Sequence, residues 1–320
     1  MIRRTARAER ALAAALLLAA MSSCASFRSH QLALAYYEVG NAWLEMERWD
    51  RAGAAYEKAL YHDPSLIAAS YNLARALTEA GSHARAQEIL LRLLKGDPDN
   101  VRLLTLRAYA FHRAGDAASA LAAYRRAAEL NPRDAPTLRN LAILLERAGR
   151  EAEARGILSE LHSVDASDDA VLRRLALLEA RRDPDDLPVG SAAQQGVAGE
   201  GARAPDAEAL LSSYLARNPG DREVLRARAE LRERRELFAR SMEDWTAIAG
   251  ADPTDAEAWF RLARIRLVAA GDGAAGRDAL RRALQAGFSN RAAAVALLTA
   301  LPEAEREEPA KLLRDAGLVD

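Results

Sequence analysis

Five prolines recur along this chain of 320 residues at one fixed spacing. Pro64, Pro98 and Pro132 are 34 residues apart, as are Pro219 and Pro253, and each of them follows an Asp or an Asn. Because proline cannot continue a helix, each is expected to lie in the turn that follows one. Self-similarity at a period of this length predicts a stack of similar supersecondary units. Such a stack presents an extended surface, so the expected class of function is binding rather than catalysis.

The composition predicts that these units are helical. Ala, Leu, Arg and Glu dominate, β-branched residues are sparse, and aromatic residues make up only 5%, a mixture that favours helix over sheet. The formal net charge is −1, which provides no overall basic field for nucleic acid. We therefore expect an all-α protein that does not bind nucleic acid.

Small and large residues recur at fixed positions when each proline is placed at position 32 of its repeat. The first four repeats then begin at Ala33, Ile67, Val101 and Ala135. Position 8 is small in each of them: Gly40, Ala74, Ala108 and Ala142. Position 20 is alanine throughout: Ala52, Ala86, Ala120 and Ala154. Position 24 is large: Tyr56, Leu90, Tyr124 and Leu158. These spacings predict two helices per repeat, A and B, which pack through a buried stripe.

The pattern resembles the tetratricopeptide repeat (TPR) family, and the resemblance is strongest from residue 33 to about residue 168. It implies an all-α TPR α-solenoid, a right-handed superhelix of helix–turn–helix repeats. We expect about seven repeats followed by C-terminal capping helices, because a solenoid must cover its last apolar face.

The repeat phase predicts the order of segments. Residues 33–182 hold repeats one to four and helix A of repeat five. Residues 183–205 lack periodicity and predict a flexible insertion, either a recognition loop or a tolerated surface excursion. Residues 206–289 hold the rest of repeat five with repeats six and seven, and residues 290–320 hold the capping helices.

The later repeats fit the pattern less well. Position 11, apolar in the first four repeats, is charged in the last three: Glu179, Arg232 and Arg266. The phase also slips by one residue at Gly271. The C-terminal half therefore matches the repeat motif less closely than the N-terminal half.

The N-terminal segment resembles a bacterial lipoprotein signal. A basic stretch precedes an apolar run, Ala11 to Met21, that is too short to span a bilayer as a helix. Met21 to Cys24 resembles a lipobox, which implies a signal peptide over residues 1–23, lipidation of Cys24 and a short tether over 24–32. The implied location is the outer membrane, facing the periplasm, with the lipid as the only membrane attachment. The alternative is a secreted or soluble periplasmic protein cut near the same place.

The sequence contains no constellation expected of an enzyme, a cofactor site or a metal site. Gly271 to Gly276 matches a dinucleotide-binding fingerprint, but that motif needs a preceding strand, and here a helix precedes it. Cys24 is the only cysteine, and the five histidines occur singly. We expect no catalytic residue, no cofactor and no bound metal.

The A helices predict a basic groove. In TPR proteins, positions 2, 5, 9, 12 and 13 of helix A face the concave side. The arginines predicted there are Arg75, Arg102, Arg113, Arg139, Arg147, Arg173 and Arg181. Flat amphipathic side chains join them: Tyr37, Tyr71, Tyr109 and His112. Three asparagines, which in peptide-binding TPR proteins grip a peptide main chain, are Asn41, Asn72 and Asn140. The set predicts a groove for an extended acidic peptide, the alternative being arginines that only solubilise the chain.

The resemblances together imply a lipid-anchored TPR scaffold or adaptor of the bacterial cell envelope. It would bind partner proteins or an acidic peptide in the assembly of pilus, secretion or cell-wall machinery. The alternative is an accessory lipoprotein that docks on a periplasmic solute-binding protein and handles a small ligand, which predicts an enclosed apolar cavity. The sequence determines neither the oligomeric state nor the partner.

Overall fold

The computed structural model describes residues 28–182 and 206–320, and all regular structure in these ranges is helical. The chain divides into two compact units, Met1–Ile157 and Leu158–Asp320. The helices of the first unit are α1 (28–45), α2 (Trp49–His62), α3 (Ile67–Glu79), α4 (His83–Gly96), α5 (Val101–Arg113), α6 (Ala117–Leu130) and α7 (Ala135–Arg147). The division between the units falls within α8 (Glu151–Val164). The helices of the second unit are α9 (Asp169–Arg181), α10 (Ala207–Arg217), α11 (Arg222–Arg234), α12 (Phe238–Ala251), α13 (Ala256–Arg264), α14 (Gly273–Gln285), α15 (Arg291–Ala300) and α16 (Glu307–Asp315).

The first unit is a stack of helix pairs. Helices α3, α5 and α7 begin at Ile67, Val101 and Ala135, the residues at which the sequence places the repeat starts. Each packs on the B helix that precedes it, so that α3 lies on α2, α5 on α4 and α7 on α6, and α3 also lies beside α5. This arrangement confirms the predicted all-α TPR solenoid fold.

The small residues at position 8 make close helix crossings possible. Tyr56 on α2 is fully buried, and its ring lies against Gly40 on α1. A Cβ atom added to Gly40 would be 2.4 Å from Cε1 of Tyr56, far closer than non-bonded carbon atoms approach. The interior of the unit is close-packed around such contacts.

The turns between helices A and B need a left-handed residue at position 15. Gly81, Gly115 and Gly149 supply it, with φ values of 82°, 84° and 71°. In repeats one and six the same position is held by Glu47 and Glu236, at φ values of 55° and 58°. Asparagine or aspartate then caps most A helices, as when Asn100 Oδ1 accepts the amide hydrogen of Leu103.

The second unit continues the helix pairing. Helices α9 and α10 pack together although residues 183–205 separate them in the chain. The one-residue slip is absorbed by a π-helical turn, Ile265–Ala269, at the end of α13, since such a turn accommodates one extra residue. Gly271 to Gly276 forms an inter-helix turn and the start of α14, and the segment before it is helical, as the sequence predicts. The capping helices α15 and α16 follow, with Leu301, Leu313 and Leu318 buried.

Part of the predicted tether is helical. Residues 28–32 belong to α1, where Ser29 Oγ donates to the carbonyl oxygen of His62 at 2.8 Å. His30 Nδ1 lies 2.7 Å from the carboxylate of Asp63. The predicted signal peptide, Cys24 and the insertion at 183–205 lie outside the described residues, and those assignments remain predictions.

Candidate functional site: the A-helix face

Twelve of the predicted binding residues lie on the A helices of the first unit, a surface that we call the A-helix face. Helix α1 carries Tyr37 and Asn41, and α3 carries Tyr71, Asn72 and Arg75. The remaining residues on this face are Arg102, Tyr109, His112 and Arg113 on α5, and Arg139, Asn140 and Arg147 on α7. Arg173, on α9, belongs to the second unit.

Two of the asparagines are bonded to each other. Asn72 Nδ2 donates to Asn41 Oδ1 at 3.0 Å and, at 3.4 Å, to the hydroxyl oxygen of Tyr37. The same Asn41 oxygen accepts the hydroxyl hydrogen of the buried Tyr56 at 2.8 Å. Burial raises the pKa of Tyr56 to about 12. The pair therefore supplies the hydrogen bond that a buried phenol needs, in addition to any role toward a ligand.

The third asparagine has a similar relationship. Asn140 is hydrogen-bonded to Tyr124, another buried position-24 tyrosine, whose pKa is raised by burial. Between these two pairs, Leu90 occupies position 24 of repeat two and Leu106 occupies position 6 of repeat three, so both positions are apolar there. An asparagine at position 6 thus accompanies a tyrosine at position 24 of the preceding repeat. The sequence contains this co-occurrence, and it gives the asparagines a structural role that the predicted peptide contacts do not include.

The face carries two exposed cations on neighbouring A helices, α3 and α5. Arg75 and Arg102 are exposed, and neither forms an ion pair with any residue in the described ranges. The Arg102 guanidinium carbon lies 5.5 Å from the centre of the Tyr71 ring. Stacking of this kind holds a guanidinium in place while leaving its N–H groups available. Chemically, this region is suited to receive carboxylates.

A second cluster is partly neutralised within the chain. Tyr109 donates its hydroxyl hydrogen to Glu79 Oε1 at 2.9 Å, and Arg113 Nη1 lies 3.4 Å from Glu79 Oε2. Burial, followed by the hydrogen bond to Glu79, raises the pKa of the Tyr109 hydroxyl. Arg113 therefore contributes less net positive charge to the face than the sequence suggests.

His112 and Arg147 meet across α5 and α7. Arg147 Nη1 lies 3.0 Å from His112 Nε2, which accepts the hydrogen bond when the imidazole is neutral. Burial, then the charges of Arg147 and Arg113, lowers the pKa of His112 below the ordinary histidine value. The histidine is therefore a neutral hydrogen-bond acceptor on this face at neutral pH.

In the second unit, Arg173 is tied to acidic residues of its own chain. Its Nε donates to Asp221 Oδ2 at 2.7 Å and its Nη2 to Glu223 Oε2 at 2.7 Å, and the hydrogen bond to Asp221 raises its pKa. Arg226, at the same repeat position, pairs with Asp255 at 2.7 Å. Asp221 and Asp255 are the N-caps of α11 and α13. In this unit an arginine at position 5 forms an ion pair with the N-cap aspartate of the next A helix. The aspartate therefore already balances the charge of the arginine.

A pocket of about 780 Å³ lies among α9, α11 and α13 of the second unit. Its charged lining residues are Arg181, Glu223, Arg226, Glu230, Glu233, Arg234, Arg261 and Arg264. The nearly buried Glu233 accepts from Trp245 Nε1 at 2.6 Å, and it also pairs with Arg261 and Arg264. The pocket is thus a network of opposite charges and not the apolar cavity that the small-ligand alternative predicts.

The charged position 11 of repeat six is compensated by a buried network. Arg232 is only 7% exposed, and its Nη1 donates to Asp244 Oδ2 at 2.9 Å and its Nε to Glu208 Oε1 at 3.0 Å. Arg228 grips the same Asp244 with two bonds, of 2.7 and 3.1 Å. The charged residue at position 11 is accommodated here by ion pairs that join α10, α11 and α12.

The described ranges hold neither a metal-binding cluster nor a membrane-spanning helix. Between residues 28–182 and 206–320, no group of His, Cys, Asp and Glu side chains is arranged to hold a metal ion. In the same part of the chain, no helix has the length and apolar character needed to cross a membrane.

Comparison with known proteins identifies the family. Residues 44–108 and 111–178 match the tetratricopeptide repeat family model. Over these residues the chain consists of tetratricopeptide repeats, and its fold is that of TPR proteins, a fold typical of protein–protein interaction scaffolds. Proteins of this family are generally scaffolds rather than enzymes. No curated protein matches the chain.

Solved structures with a similar fold include three TPR proteins. One, from Parabacteroides merdae, is 17% identical, with 88% of this chain and 99% of that chain covered and a TM-score of 0.50. A thermophilic TPR protein from Thermus thermophilus is 20% identical, with 62% of this chain and 98% of that chain covered and a TM-score of 0.42. YrrB, described as a TPR protein with an unusual peptide-binding site, is 19% identical, with 61% and 91% covered and a TM-score of 0.42. The first of these likenesses shows a shared fold.

Proposed function

We propose that this protein is a lipid-anchored scaffold of the bacterial cell envelope whose A-helix face binds an acidic, extended segment of a partner protein. The observation that carries the proposal is the exposed pair Arg75 and Arg102, which has no acidic partner in the described chain. Arg113 is paired with Glu79. An incoming carboxylate would therefore meet unpaired guanidinium groups at Arg75 and Arg102.

The exposed guanidinium groups of Arg75 and Arg102 suit the carboxylates of a partner chain. A guanidinium presents two parallel N–H groups to one carboxylate, which adds directional hydrogen bonds to the attraction of charge. Tyr71, half-buried beneath Arg102, offers a flat surface to the neighbouring parts of the segment. A partner with acidic residues on an extended stretch would use both.

The proposed anchor places the scaffold at a membrane. Cys24 precedes the first described helical residue, Arg28, by only four positions, so a lipidated Cys24 would hold α1 close to the bilayer surface. Partners would then be other envelope proteins, in the assembly of pilus, secretion or cell-wall machinery. The small-ligand alternative needs an enclosed apolar cavity, and the charged pocket of the second unit gives it no support.

Charge reversal tests the binding face. Arg75→Glu combined with Arg102→Glu is expected to reduce capture of partners from envelope extracts at least tenfold. The matched control is Arg92→Glu, which reverses an exposed arginine on the B helix α4 and leaves the A-helix face unchanged. Equal capture of partners by both variants, with unchanged helical content, would show that the A-helix face does not bind them.

Labelling with a radioactive or clickable fatty acid tests the anchor separately. The wild-type protein is expected to incorporate the label and the Cys24→Ala variant to lose it. Equal incorporation by the two proteins, or none by either, would refute lipidation at this residue while leaving the binding face untouched.

A further inference from the structure

Helix α1 carries an exposed apolar stripe, which we call the α1 stripe. It consists of Leu32, Ala35, Val39, Ala42 and Met46, all of them exposed. Leu32 is 44% exposed, Val39 is 47% exposed and Met46 is 64% exposed. Met46 follows the last helical residue, and its amide donates to the carbonyl of Ala42 at 3.2 Å, so it continues the helical hydrogen-bond pattern.

The α1 stripe lies where a preceding repeat would pack. Every other A helix of the first unit lies on the B helix before it, as α3 lies on α2. In the described ranges no such helix precedes α1, whose opposite side buries Ala33 and Gly40. In the second unit, the capping helix α16 packs on α14 and α15. Terminal repeats of a solenoid ordinarily carry a polar outer face, and an apolar one calls for a cover.

The spacing of the stripe matches a helix-pairing seam. Its members alternate three and four residues apart, which is the a and d pattern of a coiled coil. The a positions are large and the d positions are alanine. In an antiparallel pair of such helices, residues at the a positions of one helix pack beside residues at the d positions of the other. Leu32 would then contact Ala42 of a second copy, and Val39 would contact its Ala35. Large and small side chains then interdigitate along a seam of about 21 Å.

Charges at the two ends select the orientation. Arg28 lies on the line of the stripe at its N-terminal end, and Glu45 and Glu47 flank its C-terminal end. All three are exposed and form no ion pair with residues in the described part of the chain. An antiparallel pair places each Arg28 beside the two glutamates of the other copy. A parallel pair would bring like charges together at both ends.

We propose that the α1 stripe binds the α1 stripe of a second copy of this chain in antiparallel orientation. The acidic residues Glu38, Glu45 and Glu47 beside the stripe disfavour an anionic membrane surface as its cover. A seam of one helix pair is smaller than a standard protein–protein interface, so the dimer is weak and depends on concentration. The stripe and the A-helix face use different sides of α1, and this dimer does not depend on the binding function.

Sedimentation equilibrium of the full chain over a wide concentration range tests dimer formation. The wild type is expected to show a monomer–dimer equilibrium, and Val39→Asp to raise its dissociation constant at least tenfold. Val295→Asp, which changes an exposed valine of α15, is the matched control and is expected to have no effect. A monomeric wild type at every concentration, or equal effects of the two variants, would overturn the proposal. If the protein is monomeric and the amides of the α1 stripe are protected from hydrogen exchange, residues 1–27 of the same chain cover the stripe, and the proposal is wrong.

Disulfide trapping tests the orientation. In a Cys24→Ser background the chain has no cysteine, so Ala35→Cys and Val39→Cys chains with tags of different size are mixed and oxidised. The antiparallel seam predicts that the disulfide between position 35 of one copy and position 39 of the other exceeds either homodisulfide severalfold, because only that pair is near disulfide distance. Dominant 39–39 disulfides would show a parallel pair and contradict the proposal, as would yields no higher than those of Ala54→Cys, an exposed site on α2.

Discussion

Asn41 Oδ1 accepts the hydroxyl hydrogen of Tyr56 at 2.8 Å, which connects the surface of α1 to the buried core of the first repeat. Asn72 donates to the same oxygen, so the two asparagines and the tyrosine form one small network. The surface expected to hold a peptide is therefore also part of what holds the repeats together.

Replacing Asn41 with alanine is expected to destabilise the protein by about 1–3 kcal/mol, because the buried phenol loses its acceptor. Tyr56→Phe in the same background should recover much of that loss by removing the orphaned hydroxyl. Urea unfolding of the single and double variants measures both effects. Wild-type stability of Asn41→Ala, together with lost partner capture, would instead assign Asn41 to the ligand alone.

Gly40→Ala is expected to cost about 1–3 kcal/mol, because its new Cβ would overlap the buried ring of Tyr56. Gly156→Ala is the matched control: it lies in helix α8 with nothing within 4 Å of an added Cβ. There the change should stabilise the helix by up to about 1 kcal/mol. Thermal unfolding of the two variants compares them directly, and equal melting temperatures would contradict the close crossing of α1 and α2.

Asp244→Ala is expected to cost about 3–5 kcal/mol, because it leaves the guanidinium groups of Arg228 and Arg232 without their shared carboxylate. Asp278→Ala removes an exposed i,i+4 partner of Arg282 and should cost less than about 0.5 kcal/mol. Chemical denaturation distinguishes the two. Similar small losses for both variants would show that the buried network of repeat six adds little.

The imidazole of His112 is expected to titrate below the ordinary histidine pKa, as followed by the pH dependence of its NMR signals. Its contribution to stability is present above the unfolded-state pKa and is lost as the pH falls through the lower folded-state pKa. Arg147→Gln should move the pKa upward without restoring it fully, because burial remains the larger cause. An unchanged titration in that variant would exclude electrostatic coupling across α5 and α7.

Much of the fold was predictable because the repeat phase is periodic. Prolines and small residues at fixed positions identified the starts of α3, α5 and α7, and the phase slip at Gly271 corresponds to the π-helical turn Ile265–Ala269. These features are local, or recur at a fixed interval, so sequence alone contains them.

The pairing of charges was less predictable because it depends on which side chains meet in space. Arg173 and Asp221 are 48 residues apart, across a segment of irregular length, and their ion pair follows from the packing of α9 against α11. Arg232 departed from the repeat pattern, and only the fold shows that Asp244 and Glu208 surround it. Counting arginines by repeat position therefore overestimated the free positive charge, while Arg75 and Arg102 remain without an ion-pair partner in the described residues.

A photocrosslinking amino acid placed at position 75, in cells, tests the central claim most directly, with the same amino acid at position 92 as the control. We predict a discrete crosslinked product from position 75 containing an acidic segment of an envelope protein, and no such product from position 92. The same product from both positions, or a product from position 92 alone, would contradict a scaffold that binds its partner through the A-helix face.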